Sequence, residues 1–535
     1  MERLDRDAPP SAGTQAGISR RHPCRNPGRR RFDAHEKKSP YQYNRFAMSD
    51  PRTELIRRIH QSPTELVLAI TGGGSPVIGD LLSVPGGTRT LLEATVPYTH
   101  AAIDRYMGCT PEHYCCERSA RQLAVAAFQR GQELIEARHS GTDGDEAKGH
   151  PATENGDADL IGKMSLIGLG CTASLSTDRE KKGDYRVCVA TQTLRRTTVC
   201  ALPLVKGKRT RQEEERLVAD LILNMIENAR MLPEPDLVLR RSGNTAQPET
   251  AVGGAEEEAK IYAFSAETDD CQEIEEYLPL RLDPREKIVA RRAVATPPLI
   301  DLFYGRTAML LWRSGEIAFM KTREESKEQL NEAFRVRTFN PYAEYSNAVF
   351  PGSFNPVHEA HLGMIASARD WLSSIVSLEI SVQNALKPPM DYIGLRDRLT
   401  RIEAAVPDQP IWLTRSPFFL EKAMLFPGTT FVVGADTLRR FADVSRYDNH
   451  PHHLHDVLRE IAALNCRFLV FARKHHDGIE SLETMTIPDM LRSLCDEVPP
   501  GDFTIEMSST DLRRRESWLP VREVPPERLK HGAPR

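Results

Sequence analysis

The stretch Val349-Phe350-Pro351-Gly352-Ser353-Phe354-Asn355-Pro356-Val357-His358-Glu359-Ala360-His361 decides the reading of the C-terminal half. A short apolar run ends in a Pro/Gly/Ser/Asn turn, and two histidines three positions apart follow where a helix should open. A strand that delivers such a loop lets backbone N–H groups approach an anion, and the helix N-terminus adds partial positive charge. His358 and His361 at i, i+3 share one helix face and can aim at one phosphate. The pattern predicts a grip on a nucleotide phosphate chain. A zinc-protease motif needs histidines at i, i+4 with Glu beside the first, so that reading fails here.

Around this loop, strands and helices alternate. Ala348 to Phe350, Val376 to Val382, Ile411 to Thr414, Thr430 to Val433 and Phe468 to Phe471 read as strands. His361 to Leu372, Ile393 to Ala405 and Phe418 to Met424 read as helices between them, and Thr510 opens a last one. The alternation predicts a mostly parallel sheet with ligands at the C-terminal strand edge. The N-terminal half is also α/β. Strands are expected at Leu66 to Ile70, Leu91 to Val96, Met164 to Leu169 and Arg186 to Thr191, with long helices at Ser119 to Arg138 and Glu213 to Met231. Between the halves, Trp312-Arg313-Ser314-Gly315-Glu316 marks a hairpin turn, and Glu324 to Phe334 a polar helix.

The 535 residues, 40% hydrophobic and 27% charged, have an ordinary globular composition. No apolar run reaches the length of a transmembrane helix, about 18 residues. The ten cysteines are scattered and form no C-x-x-C pair. Reduced thiols and a cytoplasmic location are the expectation. Residues 1–47 carry 11 Lys/Arg against 5 Asp/Glu, a net of +6, which leaves −10 for the remainder of a chain at −4. This basic extension has no apolar core of a secretory signal and reads as disordered. The acidic remainder argues against a nucleic-acid polymer as partner. Two further segments, 139–157 and 242–258, are small, polar and acidic and read as loops or disorder. The chain divides into the extension 1–47, an α/β domain 48–235, a linker with a small α+β region 236–340, and a second α/β domain 341–525. Assembly into a homo-oligomer is compatible with this pattern.

Three more motifs sit at strand ends in the second domain. Gly434-Ala435-Asp436-Thr437 follows a buried strand, Arg473-Lys474 follows another, and Ser508-Ser509-Thr510 with Arg513 opens a helix. Singly each has a plain structural reading, such as a helix cap. In this order they resemble the cytidylyltransferase-like nucleotidyltransferases, and within them the nicotinamide/nicotinate mononucleotide adenylyltransferases. Gly352, Phe354, Asn355, Pro356, His358 and His361 match the family's Gly-x-Phe-Asp/Asn-Pro-x-His-x-Gly-His loop, and Ser508, Ser509, Thr510 and Arg513 match its Ile-Ser-Ser-Thr-x-Ile-Arg. Ala360 stands where the family carries Gly.

The resemblance implies a Rossmann-like fold and ATP-dependent adenylyl transfer to a mononucleotide, with Mg²⁺ accompanying ATP. It implies that His358, His361, Lys387 and Arg513 serve catalysis. Gly352, Ser353, Phe354, Asn355, Ser508, Ser509 and Thr510 would join the histidines and Arg513 in holding ATP. Gly434, Ala435, Asp436, Thr437 and Arg473 would hold the mononucleotide. Lys387 precedes a helix with Arg396 and Arg398. Cytidylyl or adenylyl transfer to another phosphorylated substrate, or nucleotide sensing without turnover, are the alternatives.

The first domain resembles the C-terminal domain of the competence-damage-inducible (CinA-like) proteins, a nicotinamide-nucleotide amidase family, through Thr71-Gly72-Gly73, Val84-Pro85-Gly86-Gly87-Thr88-Arg89 and Val96-Pro97-Tyr98. The family's Glu-Ser-x-Thr-Gly-Gly puts its nucleophile and acid at Ala69 and Leu68 here. Alanine cannot attack an amide, so this domain is expected to be inactive, while its glycine loop stays a candidate nucleotide contact. The second family loop is reduced to Gly170-Cys171-Thr172-Ala173-Ser174. His450-Pro451-His452-His453-Leu454-His455 reads as a solvated loop, because it holds a proline and lacks a cysteine partner. No protein metal site is expected.

Overall fold

Two sheets carry the chain, and a computed structural model describes them through residues 50–139, 165–178, 182–231, 277–322, 343–383, 390–447, 449–475 and 478–505. The extension 1–47, the acidic segments 140–157 and 242–258, and the helices expected at 324–334 and from Thr510 lie outside the described residues.

The first sheet holds β1 (Glu65–Thr71), β2 (Leu91–Thr95), β3 (Leu166–Ser174), β4 (Tyr185–Gln192), β5 (Arg196–Leu204) and β6 (Val289–Val294), in the order β2-β1-β3-β4-β5-β6. β1 runs parallel to both neighbours, and the remaining pairs are antiparallel. Period-two alternation assigns its faces. Leu66, Leu68 and Ile70 join a core with Leu217, Leu221 and Met225 of helix Arg211–Met231, whereas Val67 and Ala69 face a core with Leu123, Ala127 and Phe128 of helix Glu117–His139.

The second sheet holds β7 (Thr307–Arg313), β8 (Glu316–Thr322), β9 (Ala348–Pro351), β10 (Val376–Ser381), β11 (Ile411–Thr414), β12 (Thr430–Gly434), β13 (Arg467–Phe471) and β16 (Cys495–Val498). A separate ribbon pairs β14 (Arg473–His475) with β15 (Gly478–Glu480). The sheet order is β16-β13-β12-β9-β10-β11-β7-β8, parallel from β16 to β11 and closed by the antiparallel β7–β8 hairpin. Both faces are buried. Phe350, Leu378, Ile380 and Phe471 point to one core, and Val349, Trp412, Phe431 and Phe468 to the other. The architecture is therefore α/β in both halves, with a Rossmann-type parallel sheet in the second.

Two expectations change. In its described part, 236–340 does not form a small region of its own. β6 extends the first sheet and the β7–β8 hairpin extends the second, each capping an edge that would otherwise expose a row of unpaired backbone groups. His450-Pro451-His452-His453-Leu454-His455 is no loop either. Helix Pro451–Ala463 starts at the proline, which tolerates a first helical position because its missing N–H has no partner to lose there. His452, His453 and His455 are exposed, and Leu454 turns into the core.

The two halves share a core. One apolar cluster runs from Val67 and Phe128 through Leu194 to Tyr392, Ile380 and Phe350. Helix Tyr392–Ala405, the crossover between β10 and β11, carries the contact. The Tyr392 hydroxyl donates to the Leu194 carbonyl at 2.7 Å, and the Thr197 hydroxyl accepts from the Tyr392 N–H at 3.1 Å. Arg396 donates to the Arg292 carbonyl at 2.6 Å, and Arg291 meets Asp397 at 2.7 Å. Asp391 caps the helix by accepting from the Gly394 N–H and pairs with Arg121 at 2.5 Å. Burial works against both charges of that pair, yet the opposite charges and, at Asp391, the Gly394 N–H together outweigh it: the Asp391 pKa is lowered and that of Arg121 raised. Arg121→Met would strand a buried carboxylate. The expected cost is about 3 kcal/mol or more, lost from a single cooperative transition that both halves share, as read by denaturant unfolding.

Candidate functional site

The strand order places the site. Read from β11 to β16, the parallel strands stand in the order 3-2-1-4-5-6, and such sheets bind ligands beyond the strand ends where the order reverses. Here the reversal lies between β9 and β12, whose pairing is limited to Ala348–Thr430 and Val349–Phe431. The loop after β9 carries the two histidines, and the loop after β12 carries Gly434-Ala435-Asp436.

The first loop is shaped by one aromatic ring. Phe354 is wholly buried at a left-handed φ of 42°, and its ring folds back under Gly352. A Cβ at Gly352 would stand 2.6 Å from that ring, so only glycine fits. Ser353 stays exposed, Asn355 is half-buried, and the Gly352 N–H ties the loop to the Glu379 carbonyl of β10 at 2.9 Å.

His358 is the N-cap of helix Glu359–Leu372, not a member of it, and His361 is its third residue. The His358 N–H donates to Nδ1 of His361 at 3.3 Å. The two rings stack with centroids 3.7 Å apart, and His361 also meets the Phe354 ring edge-on at 5.1 Å. Burial, reinforced by His358, pushes the His361 pKa down to about 3. Burial also lowers that of His358, with Arg473 adding to it. Both imidazoles are thus mainly neutral near pH 7. Ala360 is half-buried, and its methyl packs against the shared core.

On the other side of the reversal, Gly434 ends β12 and Asp436 lies in the first turn of helix Ala435–Ala442. Asp436 forms an ion pair with Arg473 of β14 through Oδ2. Its Oδ1 is buried and meets no donor among the described residues. Thr437 is half-buried one residue on. The last described residue, Ile505, donates to the Ala472 carbonyl at 2.9 Å and accepts from the Lys474 N–H at 3.0 Å, which seats the incoming chain beside Arg473. The structure therefore gathers His358, His361, Asp436 and Arg473 at one strand edge. Lys387, Ser508, Ser509, Thr510 and Arg513 lie outside the described residues. Arg396 is drawn away from this edge by its bond to Arg292. A cavity of about 430 Å³ between Arg313, Tyr345, Arg369 and Asp408 touches none of these groups and opens where β10 and β11 begin. Among the described residues, no three His, Cys, Asp or Glu side chains cluster as a metal cage.

The glycine loop of the first half is filled by its own chain. Gly72, at φ +82°, lies against β3, where a Cβ would stand 1.9 Å from the Ala173 carbonyl oxygen. The Gly74 N–H donates to Glu215 at 2.6 Å, the Ser176 N–H to Glu214 at 2.7 Å, and Arg211 donates to the Gly72 carbonyl at 2.9 Å. One N–H of the loop is thus satisfied by a carboxylate of helix Arg211–Met231. Leu68 and Ala69 are both fully buried, on opposite faces of β1.

Residues 349–515 match the cytidylyltransferase-like family model. The match supports a nucleotidyltransferase domain in the C-terminal half, and nucleotides as its substrates. A solved structure, the competence/damage inducible protein CihA from Agrobacterium tumefaciens, is similar at 16% identity and a TM-score of 0.23, over 34% of this chain and 96% of that one. It fits the N-terminal part, and a likeness at that score carries no argument about activity. No curated protein matches the chain. Among the described residues, no helix is long and apolar enough to cross a membrane.

The low pKa of His361 has a consequence for stability. The unfolded imidazole titrates near about 6.5, so below that pH the unfolded chain takes up a proton that the folded site refuses. The contribution of His361 is fully present above about pH 6.5 and is lost as the pH falls towards about 3. His361→Phe removes this titration. Its unfolding free energy should fall less steeply than that of the parent between about pH 6.5 and 4.5, as read by denaturant unfolding. Equal slopes would assign the titration to other groups.

Proposed function

We propose that the C-terminal domain transfers the adenylyl group of ATP to nicotinamide or nicotinate mononucleotide and releases pyrophosphate. The observation that carries this reading is the pairing of the stacked His358 and His361 on one side of the strand-order reversal with Asp436 and Arg473 on the other. The phosphate of the mononucleotide attacks the α-phosphorus of ATP. A new P–O bond forms, the bond to the β-phosphate breaks, and pyrophosphate leaves. No protein nucleophile is needed, so alignment and charge stabilisation are the work of the site.

Each group then has a role suited to its surroundings. His358 and His361 donate hydrogen bonds to the α-phosphate, and an arriving triphosphate raises their proton affinity against the burial that now lowers it. Gly352, Ser353, Phe354 and Asn355 shape the loop along the triphosphate. Lys387 and Arg513 hold the β- and γ-phosphates, and Ser508, Ser509 and Thr510 bind them as well. Gly434, Ala435, Asp436, Thr437 and Arg473 receive the mononucleotide, with Oδ1 of Asp436 as an acceptor for a ribose hydroxyl or carboxamide donor. Mg²⁺ accompanying ATP would screen the charge of the phosphates.

The test is pyrophosphate release with Mg-ATP and either mononucleotide, and with Mg-CTP in a parallel arm, because the matched family does not separate the two bases. Turnover is expected with ATP. His361→Ala should lower kcat by roughly a hundredfold, and Arg473→Met should raise the KM of the mononucleotide by about tenfold with less effect on that of ATP. Folded protein that binds ATP yet releases no pyrophosphate with either acceptor would refute the reading.

A further inference from the structure

The sequence reading passed over a buried ion pair directly below the phosphate loop. Glu379 is the one charged residue in the apolar run of β10 and is 1% exposed. Lys422, on helix Phe419–Leu425, is 6% exposed. The Lys422 ammonium donates to both carboxylate oxygens of Glu379 at 2.7 Å and to the Ser416 carbonyl at 2.6 Å. Its three donors are therefore all used. The Thr414 hydroxyl donates to Glu379 at 2.5 Å and accepts from the Ser416 N–H at 3.3 Å. The main chain of the same Glu379 accepts from Gly352 at 2.9 Å.

These bonds join the loop after β9, the end of β10 and the turn after β11. All lie at the strand edge where His358, His361, Asp436 and Arg473 gather. For stability alone the arrangement is a poor choice, since a buried ion pair contributes no more than an apolar pair of similar volume. An apolar pair, however, has no direction. An ammonium with three fixed acceptors sets the separation of the segments it touches.

We propose that Lys422 and Glu379 form a positioning pair that sets the height of the Gly352–His358 loop over the strand edge. The proposal rests on the nucleotidyl-transfer reading and deepens it. Neither residue touches substrate. Their effect reaches the reacting groups through the Gly352–Glu379 bond and through the Thr414–Ser416 turn.

The experiment uses the full chain and two variants. Glu379→Met/Lys422→Met replaces the pair with apolar side chains of similar volume. Thr414→Val removes only the hydroxyl that steadies the carboxylate. Each is compared with the parent by thermal unfolding, by kcat and KM in pyrophosphate release, and by the ¹⁵N imidazole signals of His358 and His361. The double variant should unfold close to the parent temperature. Its kcat should fall by about tenfold to a hundredfold, with both KM values within about threefold, because misalignment weakens the transition state more than the ground state. Its imidazole signals should move. Thr414→Val should shift kcat and the signals in the same direction by less, and it decides the matter alone if the double variant does not fold.

Parent kcat with unmoved imidazole signals would show the pair to be structural only and overturn the proposal. A lower kcat with unmoved signals would overturn it as well, because the pair would then act elsewhere. If the parent itself releases no pyrophosphate, the functional reading has failed on its own account. The imidazole signals then decide the positioning claim, moved in its favour and unmoved against it.

Discussion

Six parallel strands, β9 to β13 and β16, bury both of their faces, and this requirement organises everything else in the chain. A parallel sheet is made by crossovers that lay helices on its two sides. One side is closed by helices Phe419–Leu425, Ala435–Ala442 and Pro451–Ala463. On the other, helix Tyr392–Ala405 is itself buried, because the N-terminal half covers its outer face. The polar groups of that helix follow from its position. Asp391, Arg396 and Asp397 would be solvated on a surface helix, and here they are matched by Arg121, the Arg292 carbonyl and Arg291.

This gives the first half a physical role independent of any chemistry. Its glycine loop is closed by Glu215 and Arg211, and Ala69 and Leu68 of β1 are fully buried. Those same strands present Val67 and Ala69 to the shared core, while β5 and β6 dock the crossover helix. The domain acts as a wall that holds Asp391 and the helix it opens.

Two histidines with lowered pKa values and one ion pair set the electrostatics of the strand edge. Burial lowers the pKa of both stacked imidazoles, and the Arg473 charge that adds to the effect on His358 is tied to Asp436. Under the proposed function, a phosphate chain beside the two rings would favour protonated imidazole and so oppose the effect of burial. Beneath them the Glu379–Lys422 pair is closed on itself, with every donor of the ammonium engaged. The edge thus combines groups that await a ligand with groups that await nothing.

Much of this was legible in the sequence for local reasons. Strand and helix periods fixed the α/β class, and a turn of Pro, Gly, Ser and Asn before two histidines marked the loop because those residue types are demanded by tight backbone geometry. The need for Gly352 could be suspected, but its cause, the Phe354 ring folded beneath it, is a contact. His450 to His455 misled because proline breaks helices in their interior and starts them at their first turn, and only packing of Leu454 shows which applies. Glu379 and Lys422, 43 positions apart, offered just one signal, a lone carboxylate in an apolar strand. The sequence by itself determined which groups are candidates for chemistry, since residue type and local spacing are written along the chain. Tertiary structure alone decided which of them meet. Strand order, burial and the shared core join segments hundreds of residues apart, and no local period encodes that distance.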